Sequence, residues 1–258
     1  MNWSLVFLGS GVTLFATSLG ALPALGLRQL SSRAHNVLMG FSAGIMLAAS
    51  SFSLINPALS LAADQIENKF LGALMVGLMI LLGVLFLQVC DRFVPHEHFV
   101  TGREGGANSV QFKRIWLFVF AIALHNFPEG LAVGSGMGSQ SLTLAIPIVA
   151  GIGLQDFPEG FVVALSLMSI GYTRLQSLGV AVLTGVVEAI AALIGFLATA
   201  TVQPLLPWSL AFAGGAMVYV VIDEMIPEMQ GKSSVREGSH GFMFGFVLMM
   251  ILDVALAS

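Results

Sequence analysis

The 258-residue chain is too apolar for an ordinary soluble domain, because 57% of its residues are hydrophobic, 9% are charged and its mean hydropathy is +0.92. Its net charge of -4, with no basic stretch carrying interleaved aromatic residues, excludes a nucleic-acid partner. The single cysteine, Cys90, excludes an intramolecular disulfide framework and a thiolate metal site, so any metal ion needs nitrogen and oxygen ligands. We therefore expect an all-α integral membrane protein.

Apolar stretches long enough to cross a bilayer follow one another along the chain, separated by short polar or Gly/Pro/Ser breaks. The first is long enough to span and has no basic residue before it, so it is interpreted as a helix and not as a signal peptide. A count of seven stays open if two short segments merge or one is re-entrant. The preferred count is eight, with spans near residues 5–27, 36–61, 70–90, 115–136, 142–170, 176–200, 206–229 and 240–257.

The distribution of basic residues supports this count and orients the chain. If the N-terminus is outside, the loops after the first, third, fifth and seventh helices hold nine of the ten basic residues, and Lys69 alone lies on the other side. The positive-inside rule then places both termini outside the cytoplasm. An odd number of helices would remove this separation. The nine residues are Arg28, Arg33, Arg92, Arg103, Lys113, Arg114, Arg174, Lys232 and Arg236.

The longest connection, at about residues 91–114, is cytoplasmic in this topology. It contains His96, Glu97 and His98, a cluster that can bind a metal ion loosely. In a solvated loop the preferred interpretation of the same three is that they are ordinary polar residues. Both interpretations stay open from the sequence.

Four acidic residues fall within the central spans, where each charge at the bilayer centre costs ~2.5–3.5 kcal/mol. Left unpaired, the four would cost on the order of 10 kcal/mol. No Lys or Arg lies within these spans, so a cation or bound protons have to neutralise them. They lie close to the midplane, where transporters commonly place their sites. The acids are Glu129 on the fourth helix, Asp156 and Glu159 on the fifth, and Glu188 on the sixth.

A six-residue pattern occurs twice, as HNFPEG at 125–130 and as QDFPEG at 155–160, with four identical residues in six. His125 and Asn126 precede Glu129 by four and three positions, and Asp156 precedes Glu159 by three. At helical spacing each set projects from one helix face. The pattern therefore indicates two neighbouring groups of metal ligands.

The prolines of the two motifs add carbonyl oxygens to these groups. Pro128 and Pro158 cannot donate to the carbonyls of Leu124 and Leu154, which predicts kinks and frees those carbonyls to face an ion. Kinks kept for packing alone are common in membrane helices, but they do not explain the acids.

One imidazole with several carboxylates and amide oxygens suits Zn²⁺, Fe²⁺, Mn²⁺ or Cd²⁺ better than Cu⁺, which prefers sulfur. With this many oxygens two adjacent ions are possible. Asp156 or Glu188 would then bridge them.

Further polar residues lie toward the ends of other helices. Asp223, Glu224 and Glu228 lie near the cytoplasmic end of the seventh helix and form either an exit station or an ordinary solvated interface. Asp253 lies near the outer end of the eighth helix, as an entrance ligand or as an interfacial acid. Serines and an asparagine of the second helix line a polar path or bond between helices for packing; they are Ser50, Ser51, Ser53 and Asn56.

HNFPEG on the fourth helix, QDFPEG on the fifth, Glu188 on the sixth and DEMIPE at 223–228 resemble the ZIP (Zrt/Irt-like protein) divalent metal transporters, over essentially the whole chain. The resemblance implies one transmembrane transporter domain over residues 1–258, with an inverted-repeat (3+2+3) arrangement of eight helices and both termini outside. It also implies uptake of Zn²⁺ or related divalent ions into the cytoplasm, by an elevator-like or rocking alternation between helix groups. The implied binuclear centre has as ligands His125, Asn126, Glu129, Gln155, Asp156, Glu159 and Glu188.

Three positions depart from the common pattern of that family. Gln155-Asp156 stands where many members carry His-Asn, and the change to Gln-Asp is typical of a bacterial subgroup of the family. This harder oxygen set argues against a strict zinc preference. Asp223 stands where histidine is frequent, and Ala189 stands where proline is frequent.

Two other function classes stay open. A membrane-embedded metalloenzyme needs an open coordination position and a general base, and the chain has neither an HExxH nor a GxSxG motif. A proton-coupled carrier of an organic solute would use the acids as proton relays, but the midplane shows no aromatic or basic recognition groups. We therefore expect a non-enzymatic carrier of divalent metal ions, embedded in the lipid of the cell (inner) membrane. A homodimer is possible, although no helix shows an unmistakable GxxxG seam.

Overall fold

The computed structural model describes residues 3–27, 30–93, 107–230 and 235–257. Within these ranges the chain is helical, with no β-strand, and eight helices are long and apolar enough to cross a membrane. The prediction of an all-α membrane protein with eight spans is confirmed. The spans are α1 (Trp3–Leu25), α2 (Ser32–Gln65), α3 (Lys69–Cys90), α4 (Ile115–Gly138), α5 (Leu142–Ser169), α6 (Arg174–Thr201), α7 (Gln203–Met229) and α8 (Val235–Leu256).

Two helices extend well beyond their expected boundaries: the helix that contains α4 begins at Ala107, and α2 continues past its apolar core at both ends. Its N-terminus is capped by Ser31, whose side chain accepts a hydrogen bond from the backbone N–H of Ala34 at 3.2 Å. A serine cap satisfies an orphan donor of the first turn, so the helix begins before the apolar run does. The orientation of the termini and the inverted-repeat arrangement stay predictions. His96, Glu97 and His98 lie outside the described residues.

The helices form two groups. In the first, α1, α4, α5 and α6 pack against one another, and in the second α2 packs on α8 and α3 on α7, with α2 also touching α3 and α7. The groups meet mainly where α4 contacts α7 and where α2 and α8 contact α5. The candidate ligands of the fourth, fifth and sixth helices thus all belong to one group.

Glycines allow close helix contact within each group. A Cβ added at Gly130 or Gly134 of α4 would collide with the backbone carbonyl of Glu188 or Ala192 on α6. Small residues let helix backbones approach closely in a membrane, where no hydrophobic force drives helices together. This contact holds Glu129, next to Gly130, beside Glu188.

The contact between α2 and α8 rests on a pair of GxxxG patterns that the sequence interpretation missed. Gly40 and Gly44 of α2 face the backbone of α8, and Gly241 and Gly245 of α8 face the backbone of α2. Both patterns are used inside one chain, as is usual for small residues at helix interfaces. They therefore carry no information about a homodimer, which stays a prediction.

Two spans contain a wider π-helical segment, Ala49–Ile55 in α2 and Val221–Met225 in α7. Each segment ends just before a residue that is followed by proline. The backbone N–H of that residue donates to the carbonyl five positions earlier: Asn56 donates to Ser51, and Ile226 donates to Val221. Because proline has no N–H, the regular i to i−4 pattern is interrupted there, and a π turn absorbs the mismatch. By contrast, α4 and α5 continue through the prolines of their FPEG motifs.

Candidate metal centre

All seven predicted ligands are buried, and none is more than 6% exposed. Three come from α4, three from α5 and one from α6, so the first helix group brings them together as the repeated motif indicates. Charged side chains are almost never fully buried unless they are paired. The seven are His125, Asn126, Glu129, Gln155, Asp156, Glu159 and Glu188.

Three carboxylates form the core of the centre. One oxygen each from Glu129, Asp156 and Glu159 can be chosen so that all three atoms lie within 4.8 Å of one another. Glu188 approaches from α6 and interacts electrostatically with Asp156 and Glu129. Like charges at this spacing repel strongly inside a protein unless a cation or protons intervene.

Seven buried oxygens of this centre accept no hydrogen bond from any described residue. A buried acceptor left without a donor costs roughly 1–3 kcal/mol, and more when it is charged. Such groups in a native protein indicate a missing partner, and for a set of acceptors that partner is a cation or bound protons. The atoms are Oδ1 of Asn126, Oε2 of Glu129, Oε1 of Gln155, both carboxylate oxygens of Asp156 and both of Glu188.

The two amides are oriented so that their oxygens stay available. The Asn126 amide donates to the backbone carbonyl of Thr184 at 3.0 Å, and the Gln155 amide donates to the Glu129 carboxylate. Since an amide nitrogen is a donor only, these bonds fix which atom is left to face the centre. Both amide oxygens are then available as hard oxygen donors, the type predicted for these two residues.

Neighbouring hydroxyls leave these acceptors without a hydrogen bond of ordinary geometry. The Thr13 hydroxyl of α1 lies close enough to Glu188 to interact with its carboxylate, but its better-formed bond is to the Ser10 carbonyl at 3.3 Å. Ser42 of α2 donates to the backbone carbonyl of Gln155 at 3.3 Å, which joins the second helix group to the motif of α5. Neither contact was expected from the sequence, because a serine or threonine that meets a distant backbone atom has no local signature.

The imidazole of His125 links the centre to α7. Its Nε2 lies 2.7 Å from Oε1 of Glu224, and it also interacts electrostatically with Glu159. Glu224 sits in the π-helical segment of α7, with Asp223 beside it and Glu228 one turn further on, all three partly exposed. The structure thus brings one of the three predicted α7 acids directly to a predicted ligand.

Asp253 lies apart from the acids of the centre and of α7. It is partly buried on α8 and accepts a hydrogen bond from the Ser53 hydroxyl of α2 at 2.5 Å. Ser50 and Ser51 instead donate back to the carbonyls of Met46 and Leu47, four positions earlier in their own helix. Of the polar residues noted on the second helix, Ser53 is therefore the one paired with the candidate entrance acid.

Comparison with known proteins decides the family. The family profile described as "ZIP Zinc transporter" matches residues 96–253, more than half of the chain. The chain belongs to the ZIP zinc transporter family. It is a multi-pass protein of the cell (inner) membrane, and the resemblance drawn from its motifs is confirmed.

Relatives of this ZIP protein align with it over nearly its whole length. The zinc transporter GufA of Myxococcus xanthus is 45% identical over 241 residues, covering 93% of this chain and 94% of GufA. The zinc transporter ZIPB of Bordetella bronchiseptica is 42% identical over 249 residues, covering 96% of this chain and 80% of ZIPB. The human zinc transporter ZIP11 is 30% identical over 298 residues, covering 84% and 87% of the two chains.

Proposed function

We propose that this ZIP protein carries divalent transition-metal ions into the cytoplasm through the centre on α4, α5 and α6. Zn²⁺ is the main substrate, because the relatives are named as zinc transporters. Cd²⁺, Fe²⁺ and Mn²⁺ are further substrates, since Gln155 and Asp156 make the ligand set harder than a histidine pair would. The observation that carries the proposal is the set of seven buried acceptor oxygens without donors.

The centre has enough ligands for two ions. Zn²⁺ is commonly four-coordinate, and the unpartnered oxygens together with the His125 imidazole exceed one such shell. Asp156 and Glu188 each offer two unpartnered oxygens, so either can bridge a pair of ions. We infer a binuclear substrate site held by the seven predicted ligands.

The acids outside the centre mark the two ends of the path. Asp253, held by Ser53, receives the ion from outside, where the positive-inside rule places this end of α8. On the other side Glu224, in contact with His125, takes the ion from the centre and passes it along Asp223 and Glu228 toward the basic face. Movement of the ion alternates with movement of the two helix groups, in an elevator-like or rocking manner.

The two rival functions fit the site less well. The relatives are named as transporters, which favours a carrier over a membrane-embedded metalloenzyme. An organic solute would need donors or aromatic faces in the centre, whereas the unpartnered atoms that line it are all acceptors. In this proposal the protein is a carrier and not an enzyme, and the metal ion is its substrate and not a cofactor.

Uptake of labelled Zn²⁺ into proteoliposomes tests the proposal. Wild type should show saturable uptake, and His125→Ala/Glu129→Ala should lose it, because the double variant removes the imidazole and a fully buried carboxylate. Competition by Cd²⁺, Mn²⁺ and Fe²⁺ ranks the substrates. Asp64→Asn, at an exposed acid near the end of α2, is the matched control and should transport normally. Normal uptake by the double variant at equal protein level would refute the assignment.

Glu224→Gln should lower the maximal rate of zinc uptake about tenfold, equivalent to ~1.4 kcal/mol, while leaving the apparent KM nearly unchanged. The reason is that Glu224 lies on the exit side of His125, so its charge stabilises the departing ion and not the entering one. Initial rates over a range of Zn²⁺ concentrations measure both parameters.

The control for this variant is Glu237→Gln, which removes a carboxylate paired with Arg33 at 3.1 Å on another helix. It should leave both kinetic parameters unchanged. A raised KM with an unaffected maximal rate for Glu224→Gln would place this residue on the entry side and contradict the exit role.

A further inference from the structure

We propose that Met249 of α8, seated against Gly151 of α5, is the gate that closes the ion path between the Ser53–Asp253 pair and the metal centre. The inference rests on the proposed function, because it needs an ion to move between these two places. It assigns a transport role to an apolar residue that no sequence motif marks.

The end of the Met249 side chain fills the space that a glycine leaves open. Met249 is 0% exposed, and a Cβ built on Gly151 would lie 2.8 Å from its Cε and 2.9 Å from its Sδ. The same position would lie 3.3 Å from the Cβ of Ala49 on α2. Three helices from both groups therefore meet at this point, and any larger residue at 151 would displace the methionine.

The position of this contact along the helices places it between the two polar stations. On each helix the contact residue lies four positions, about one turn, from a polar residue: Met249 from Asp253, Ala49 from Ser53 and Gly151 from Gln155. In an alternating eight-span topology α2 and α8 run in one direction and α5 in the other.

Asp253 and Ser53 thus lie on one side of the contact, and the ligand Gln155 lies on the other. The hydrogen bond from Ser42 to the Gln155 carbonyl supports this order, since Ser42 precedes Ala49 on α2 and lies on the centre side.

The surroundings of the contact exclude water. Met249 packs with Ile45, Ala48 and Ala49 in a buried apolar cluster, bordered by Phe52 and other large side chains of α2 and α8. A hydrated divalent ion cannot cross such a layer, because desolvating it without ligands is costly. Methionine is unbranched and flexible, so the end of its side chain can leave the space beside Gly151 when the helix groups shift and return afterwards.

Thiol labelling from the Asp253 side tests the gate directly. Cys90→Ser removes the only cysteine, and Ala49→Cys places a reporter at the contact, where Ala49 is 1% exposed. The double variant is treated with a membrane-impermeant maleimide in the absence of metal ion. Adding Met249→Ala to it should raise the labelling rate of the reporter thiol about tenfold, because an exposed thiolate reacts faster than a buried one. Met250→Ala is the matched control, as Met250 is the adjacent methionine and 38% exposed.

Milder variants keep the test decisive if Met249→Ala folds poorly. Met249→Val should label at an intermediate rate and Met249→Leu near the background rate, in proportion to the volume each retains. Equal labelling of the Met249 variants and Met250→Ala would overturn the gate. Because labelling is measured without metal, its result is separate from the zinc uptake experiment, which alone decides the proposed function.

Discussion

Replacing Asp156 by asparagine is expected to abolish zinc uptake and, at the same time, to raise the thermal stability of the metal-free protein. Both carboxylate oxygens of Asp156 are buried and accept no hydrogen bond from any described residue. Glu129, Glu159 and Glu188 all lie close enough to repel its charge. In its charged form this residue therefore destabilises the metal-free fold, which is a common trade-off at functional sites.

Asparagine keeps the shape of this side chain, removes its charge and adds an amide that donates to the neighbouring carboxylates. Relief of one unsatisfied buried group should stabilise the protein by about 1–3 kcal/mol. Loss of this proposed bridging carboxylate should lower zinc uptake by about 100-fold, since weaker changes around metal ligands already cost about 10–100-fold. Thermal unfolding in detergent after chelation and uptake into proteoliposomes measure the two effects.

The matched control for the charge change is Asp64→Asn at an exposed position. It should change stability by less than about 0.5 kcal/mol and leave uptake intact. Wild-type uptake by Asp156→Asn would exclude this residue from the centre. Lost uptake together with lost stability would show instead that Asp156 supports the fold.

Adding one methyl group at Gly134 is expected to lower both the stability of the protein and its zinc uptake, although no predicted metal ligand is changed. A Cβ there would lie 2.6 Å from the carbonyl carbon of Ala192 and 2.8 Å from its Cα, so the backbones of α4 and α6 have to separate. These are backbone atoms and cannot rotate away as the end of a side chain can. Gly134→Ala should therefore cost about 1–3 kcal/mol of stability.

The same separation moves Glu129 away from Glu188, because Gly130 of α4 packs against the Glu188 backbone one turn along. A misplacement of about 1 Å at a site can cost about 100-fold in rate, so zinc uptake should fall more than the stability loss alone explains. Uptake normalised to folded protein, together with unfolding temperature, checks both expectations.

Gly77→Ala on α3 is the control, since nothing lies within 4 Å of its added Cβ. This change should be neutral or stabilise the helix by up to ~1 kcal/mol. If Gly134→Ala behaved like Gly77→Ala, close α4–α6 packing would not be what assembles the centre.

The repeated FPEG motif and the acids within the spans predict the seven ligands from the sequence, since a charge in lipid is too costly to keep without a purpose. The pairs that join the helix groups are harder to foresee. Ser42 meets Gln155, His125 meets Glu224, and each partner is distant in the sequence. The sequence predicts that the α7 acid lies near the cytoplasmic end of its helix, but it carries no sign of the direct contact with a predicted ligand.

The amino-acid sequence alone determined the number of spans, their approximate limits and the identity of the buried acids. It could do so because the bilayer imposes a fixed length on each helix and a high cost on each charge, and both can be judged residue by residue. Only the tertiary structure decided which helices touch, which amide oxygens face the centre and where Met249 meets Gly151. Helices in lipid associate through close packing of small residues and hydrogen bonds between distant atoms, and neither depends on neighbours in the chain.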